Sequence, residues 1–133
     1  MQEDLGALLA RAMRRLIEAE RPLLAGHRLT MWEYVVLTHL ARGPAETQLA
    51  LATAVGHDKT RLIGVLDGLE SEGLITRRPA VDDRRARRVA ITPAGRERHA
   101  AAVADIRAME DELLGPLEPR EREVLVAALA RLA

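Results

Sequence analysis

Arginine is concentrated in one short part of the chain, from Thr76 to Arg98. The arginines there are Arg77, Arg78, Arg84, Arg85, Arg87, Arg88, Arg96 and Arg98, opposed only by Asp82, Asp83 and Glu97. A guanidinium group donates paired hydrogen bonds to phosphate oxygens and to the major-groove edge of guanine. The formal net charge is zero, so the molecule should carry one basic face and a neutral-to-acidic opposite end. This distribution favours a polyanionic partner.

A second group of side chains that can donate hydrogen bonds to phosphates or bases is Lys59, Thr60 and Arg61. Asp58 precedes it and is suited to cap a helix, which places the three side chains in the first helical turn. Gly64 falls on the same outward side, where a missing side chain allows close approach. The alternative is that these are ordinary solvated charges.

The elements around these groups form a recognisable order. The pattern predicts a helix over 47–55, a turn at Gly56, a second helix capped by Asp58 and closed by Gly73, and strands at 74–78 and 87–91. Residues 79–85 form the tip between the strands. Two short helices followed by a hairpin predict a winged helix-turn-helix, with one helix for a DNA groove and a wing for the backbone.

The flanking segments predict four further helices, giving the order α-α-α-α-β-β-α-α, mainly helical with a small β-hairpin. The first runs over 3–21, with Pro22 ending or kinking it and Gly26 and His27 in a loop. Thr30 and Glu33 form a capping box for the second, which stops at Gly43-Pro44. Helices over 93–114 and 119–132 close the chain. Apolar stripes on 5–17, 99–113 and 124–132 exceed what a small core needs, which favours burial between two chains.

Four segments together resemble the MarR family of winged-helix regulators. They are Thr47-Gln48-Leu49-Ala50, Gly56 to Arg61, Leu66 to Ile75, and Asp83-Arg84-Arg85 placed before Ile91-Thr92 and Gly95. With the flanking helices, the similarity covers nearly the whole chain. Gly64 and Gly68 depart from the family, which often has a polar or basic residue and an arginine at these positions.

The resemblance implies a single domain over 1–133, with the winged helix-turn-helix at 30–92 and dimerisation helices at 1–25 and 93–133. It implies a homodimer that binds a palindromic double-stranded DNA operator, with repression as the expected outcome. Asp83 would orient Arg85, which would enter the minor groove. The residues expected to face DNA are Thr47, Gln48, Lys59, Thr60, Arg61, Gly64, Arg78, Asp83, Arg84, Arg85 and Arg87.

Many members of this family release DNA when a small aromatic or anionic effector enters the crevice beside the dimerisation helices. By position, His27, Arg28, Trp32, Tyr34 and His39 are the candidates to border such a crevice here. We favour the simpler interpretation that Trp32 and Tyr34 are the large core residues of a small-residue interior.

Other functions find little support in the sequence. Hydrophobic residues make up 48% of the 133 residues and charged residues 30%, as in an ordinary soluble domain, and there is no cysteine. The histidines lack paired ligand spacing and no nucleophile–base set is visible, so neither a metal, a cofactor nor catalysis is expected. No segment suits a signal peptide or a membrane span, so a cytoplasmic protein is expected. The alternatives are a winged-helix protein-interaction module without DNA binding, or a dimeric small-molecule-binding scaffold or enzyme.

Overall fold

The computed structural model describes residues 2–133, which form six α-helices and one antiparallel β-hairpin. The elements are α1 (Leu5–Gly26), α2 (Met31–Leu40), α3 (Gln48–Val55), α4 (Lys59–Ser71), β1 (Ile75–Pro79), β2 (Arg87–Ile91), α5 (Pro93–Leu113) and α6 (Pro119–Leu132). The predicted order α-α-α-α-β-β-α-α and the mainly helical class are confirmed.

Side-chain caps fix where the helices begin. The Thr30 hydroxyl accepts from the Glu33 amide at 3.2 Å and the Glu33 carboxylate accepts from the Thr30 amide at 2.9 Å, so the predicted capping box is confirmed. Thr47, Asp58 and Thr92 cap α3, α4 and α5 in the same way. Each cap satisfies an amide that has no partner inside its own helix.

The core of the winged part is built from aliphatic side chains of α2, α3 and α4. Its fully buried leucines are Leu37, Leu40, Leu51, Leu62, Leu66 and Leu69. Val89 of β2 is equally buried and joins the hairpin to this core. Burial of this apolar surface is the main force that holds the helix-turn-helix and the hairpin in fixed relation.

A short β-bridge ties the α2–α3 loop to the wing. Ala45 and Val89 exchange two backbone hydrogen bonds, each 2.9 Å long. The sequence did not predict this pairing because a single residue carries no alternation. Helix α2 also ends at Leu40, three residues before the predicted stop at Gly43-Pro44, and turns occupy the interval.

The predicted end of the first helix is wrong. α1 continues through Pro22 to Gly26, and His27 is its cap rather than part of a longer loop. Proline removes one backbone donor, and helices pass through it when packing holds the turns on both sides. Here Leu24, in the turn after Pro22, is only 2% exposed and anchors the helix end in the core.

The two long helices, α1 and α5, pack along each other. α5 begins close beneath β1, because a Cβ on Gly95 would lie 2.1 Å from the carbonyl oxygen of Leu74. α6 buries none of its own residues and is tied to α5 by an ion pair of 2.6 Å between Arg122 and Asp111.

Over residues 2–133, no helix has both the length and the apolar character that crossing a membrane requires.

Candidate nucleic-acid interface

The turn between α3 and α4 sets the position of the second helix. Gly56 ends α3 in the left-handed conformation, with φ of 70°. Asp58 then caps α4 through the Arg61 amide at 3.1 Å. Between them, the His57 imidazole stacks on the Trp32 indole of α2, with ring centroids 3.8 Å apart. The exposed first turn of α4, which carries Lys59 and Thr60, is therefore anchored from both sides.

The wing is a regular hairpin with a tight tip. The Asp83 carboxylate accepts a hydrogen bond of 2.9 Å from the backbone amide of Arg85, and the Asp83 carbonyl accepts from Ala86 at 3.1 Å. Asp83 thus shapes the loop through the backbone. Within residues 2–133, neither Asp82 nor Asp83 forms an ion pair with an arginine, so Asp83 contacts Arg85 through its backbone amide rather than its guanidinium.

An open cleft of about 340 Å³ lies between the helix-turn-helix and the wing. It is lined by Thr47, Gln48, Leu49, Lys59, Asp83, Arg85, Ala86 and Arg87. Six of the residues that the sequence assigned to DNA therefore come together from α3, α4 and the hairpin. Three cationic side chains face one carboxylate there, which makes the lining attractive to a phosphate backbone.

The other five predicted residues lie outside this cleft on exposed surface. Thr60, Arg61 and Gly64 are on α4, while Arg78 and Arg84 are on the wing. A Cβ on Gly64 would meet nothing within 4 Å, so no packing inside the chain requires a glycine there. Successive α4 residues are about 100° apart, so Arg61 points away from the side that carries Lys59.

Arg77 is a functional candidate that the sequence analysis left off the interface. Its guanidinium donates to Asp67 at 2.6 Å, to Glu70 at 2.8 Å and to Gln48 at 3.2 Å. It thus links β1 to both α4 and α3. The hydrogen bond from Arg77 holds the pKa of the Glu70 carboxyl below its usual value.

The hairpin register explains why Arg77 turns inward. It pairs with Val89, so the two side chains share the face that packs on the helices. Arg78 pairs with Arg88 on the opposite face, where Arg88 lies 3.6 Å from Glu46. The sequence alone did not establish which residue of β1 lies opposite Val89.

The residues proposed to border an effector crevice make contacts in different places. Trp32 stacks on His57, whereas Tyr34 lies beside His99, with ring centroids 5.5 Å apart. His27 contacts the Asp105 carboxylate at 2.5 Å, on α5. Arg28 has a positive φ of 57° and lies on the exposed surface. His39 is a half-buried residue near the end of α2.

Tyr34 is half-buried and lies near several titratable side chains. Burial raises the pKa of the Tyr34 phenol. Burial first, and then the charge of Arg96, lowers the pKa of His99, whose ring nitrogen contacts the Thr38 hydroxyl at 2.9 Å. Burial also raises the pKa of Glu20. Over residues 2–133 there is no group of three histidine or carboxylate side chains that could hold a metal ion.

Comparison with known proteins places this arrangement in a family. The MarR family model matches residues 29–86, which include α2, α3, α4, β1 and the wing tip and end just before β2. The transcriptional repressor CouR, solved bound to a 23-mer DNA duplex, is 32% identical, with 97% of this chain and 92% of that chain covered and a TM-score of 0.89.

Two further solved structures are similar over nearly their whole length. The Mycobacterium tuberculosis MarR family protein Rv2887, in complex with DNA, is 26% identical, with 99% of each chain covered and a TM-score of 0.85. Bordetella bronchiseptica BpsR, whose DNA binding is regulated by 6-hydroxynicotinic acid, is 27% identical, with 98% of this chain and 93% of that chain covered and a TM-score of 0.86. On its sequence, its winged helix and these similarities, the chain belongs to the MarR family of transcriptional regulators.

Proposed function

We propose that this protein binds a specific double-stranded DNA site, with α4 in the major groove and the wing tip along the adjacent minor groove. The observation that carries the proposal is the cleft in which Lys59, Arg85 and Arg87 meet from α4 and the wing. A helix N-terminus adds backbone amides and a positive dipole end to that cationic lining. The DNA-bound states of CouR and Rv2887 support the same partner.

Roles follow from position. Thr60 and Arg61 in the first turn of α4 are placed to contact base edges, since the N-terminal part of a recognition helix reads the groove. Arg84 and Arg85 at the exposed wing tip suit a narrow minor groove, which attracts arginine. The remaining residues contact the DNA backbone and hold the duplex against the base-contacting side chains. They are Thr47, Gln48, Arg78, Arg87 and the loop shaped by Asp83.

The active unit in this proposal is a homodimer formed by residues 1–25 and 93–133. The first half of α1 and most of α6 expose large apolar side chains that the single chain leaves uncovered. The most exposed are Leu5, Leu8, Leu9 and Met13 on α1, and Val124, Val126, Leu129 and Leu132 on α6. Burying such faces against a second copy follows from the hydrophobic effect. Two-fold symmetry then predicts an inverted repeat with half-sites about 10 base pairs apart, or a multiple of that.

Repression is the regulatory mode that we propose, because a dimer covering a promoter excludes polymerase without a separate activating surface. In this proposal, binding of a small aromatic or anionic molecule releases the protein from DNA and so relieves repression. BpsR, which responds to 6-hydroxynicotinic acid, is the relative that supports it. Tyr34 and His99, which are half-buried and lie side by side, are candidates to contact such a molecule.

Selection of bound duplexes from a random pool tests the proposal directly. We expect an enriched inverted repeat, and we expect Arg61→Ala to change the enriched sequence. Arg85→Ala should weaken binding to all enriched sequences alike. Arg107→Ala is the charge-matched control, because it removes the same charge far from the wing. The wing leads directly into the first turn of α5, and Arg107 lies roughly 21 Å further along that helix. No enrichment over the input pool would contradict DNA binding and favour the protein-interaction module.

A further inference from the structure

Ile63 is the one branched aliphatic residue of α4 that the structure leaves on the surface. Its exposure is 36%, whereas the neighbouring Leu62 and Leu66 have none. Leu62 and Leu66 thus belong to the core, and Ile63 does not. Ile63 also takes no part in the buried core cluster.

The surroundings of Ile63 are polar and charged. It lines an open depression of about 330 Å³ with Gln48, Glu70, Arg77 and Arg87. It lies one helical turn, about 6 Å, beyond Lys59 on the same side of α4. Lys59 and Arg87 also line the cleft assigned to DNA. Ile63 is therefore an apolar spot on a polar and charged surface, directly beside the groove-facing first turn.

Thymine supplies the matching chemistry. Its C5-methyl is the apolar group that a base pair presents in the major groove, and aliphatic side chains recognise it by contact. Gly64, next to Ile63, has clear space around its Cβ position and lets the helix backbone approach the duplex. A charged or hydroxyl side chain at position 63 would instead favour the polar edges of the other bases.

We propose that Ile63 is a specificity-determining residue that recognises the C5-methyl of one thymine in each half-site. This inference rests on the proposed DNA-binding function and adds a base preference to it. The preference is for T over C and over uracil at one position, and it comes from apolar contact rather than from a hydrogen bond.

Replacing single thymines by deoxyuridine tests this, because the change removes the methyl group and leaves every hydrogen-bonding atom in place. The duplex is the one selected by the wild-type protein, substituted at one symmetric pair of thymines at a time. We expect one pair at which deoxyuridine weakens wild-type binding by about fourfold per half-site, the ratio for burying one methyl-sized group. The Ile63→Ala variant should bind the two duplexes equally at that pair.

Leu49→Ala is the matched control. Leu49 is 59% exposed and lines the neighbouring cleft, so the variant loses similar apolar area from the same surface. It should keep the full deoxyuridine effect at the pair where Ile63→Ala loses it. Ile63→Val, which keeps a branched side chain, should retain most of the effect and guards against a folding defect in the alanine variant.

The possible outcomes distinguish failure of the Ile63 inference from failure of the proposed DNA-binding function. Suppose that the wild-type protein binds the selected duplex but that deoxyuridine at no thymine pair weakens this binding. Ile63 then recognises no methyl group, and the inference is wrong. The same follows if Ile63→Ala keeps the wild-type response, or if the selected half-site has no thymine. Failure of the wild-type protein to bind any duplex overturns the proposed function itself.

Discussion

The His57 imidazole lies almost parallel to the Trp32 indole, with an interplanar angle of 16° and ring centroids 3.8 Å apart. This stack joins the first turn of α2 to the residue just before the cap of α4. Stacked aromatic pairs contribute about 0.5–1.5 kcal/mol beyond their buried area. Trp32 therefore acts as a positioning residue for α4, whereas the sequence favoured a place for it in the core, with the border of an effector crevice as the alternative.

Replacing His57 by Ala should change the fluorescence of the protein, because Trp32 is its only tryptophan. Loss of the stack should shift the emission spectrum and lower the free energy of unfolding by about 1 kcal/mol. Affinity for the selected duplex should fall while the preferred sequence stays the same. His39→Ala, on the same helix as Trp32, is the control. An emission spectrum identical to that of the wild type would show that the rings do not stack in solution.

Arg77 and Arg78 are neighbours on β1 with different expected roles. Arg77→Ala removes the link from the wing to α3 and α4, so it should lower the free energy of unfolding by about 1 kcal/mol as well as weaken DNA binding. Arg78 is exposed, so Arg78→Ala should weaken binding with little change in stability. Urea denaturation and a duplex-binding titration, made on both variants, distinguish the two. Equal stability losses would contradict the positioning role of Arg77.

The Arg77 link also has a pH signature. The pKa of Glu70 is lower in the folded protein than in the unfolded chain, so the unfolded chain binds the proton more readily. The stabilisation is therefore present above the unfolded pKa of about 4.3 and is lost as pH falls through the lower folded value. Arg77→Ala should lose less stability than the wild type over that acidic range. Parallel curves of stability against pH would argue against this linkage.

The sequence predicted the winged helix with good accuracy because its signals are local. Thr30, Asp58 and Thr92 are recognisable caps, and Gly56 ends a helix at the expected place. What it missed depends on contacts between distant parts of the chain. Pro22 stays inside α1 because Leu24 is anchored by other elements, and Arg77 faces the helices because of the hairpin register.

For the candidate site too, the sequence predicted what depends on local signals and missed what depends on contacts between distant segments. Arginine content and spacing predicted which residues are available for DNA. The meeting of α3, α4 and the wing in one cleft required the fold. Ile63 shows the limit most clearly, since helical periodicity places it at the margin of the apolar stripe and does not say how exposed it is, whereas the structure leaves it 36% exposed.

Gly95 should tolerate no side chain. A Cβ there would lie 2.1 Å from the Leu74 carbonyl oxygen and 2.8 Å from the Ile91 side chain, so α5 would have to move away from the hairpin. We expect Gly95→Ala to destabilise the protein by about 2–3 kcal/mol, as overpacking does. Gly26→Ala is the control, because nothing lies within 4 Å of its Cβ position. Thermal unfolding measures both, and a Gly95→Ala protein as stable as the wild type would contradict the close packing.

The apolar face of α6 should hold the dimer together. The double substitution Leu125→Glu with Leu129→Glu places charges on that face and should give a monomer, because burying unpaired carboxylates is strongly unfavourable. Val81→Glu is the control, since Val81 on the wing is 89% exposed and lies outside the dimerisation helices. Sedimentation equilibrium measures the mass. A wild-type monomer, or a double variant that remains dimeric, would contradict the proposed interface.

The salt dependence of duplex binding is the sharpest test of a DNA interface formed by the wing and α4. For the wild-type protein and its selected duplex, the logarithm of the association constant should fall linearly with the logarithm of salt concentration. Arg85→Ala should reduce that slope by about one per subunit, and Arg107→Ala should leave it unchanged. A wild-type affinity that does not respond to salt, or equal slopes for all three proteins, would contradict a DNA interface formed by the wing and α4.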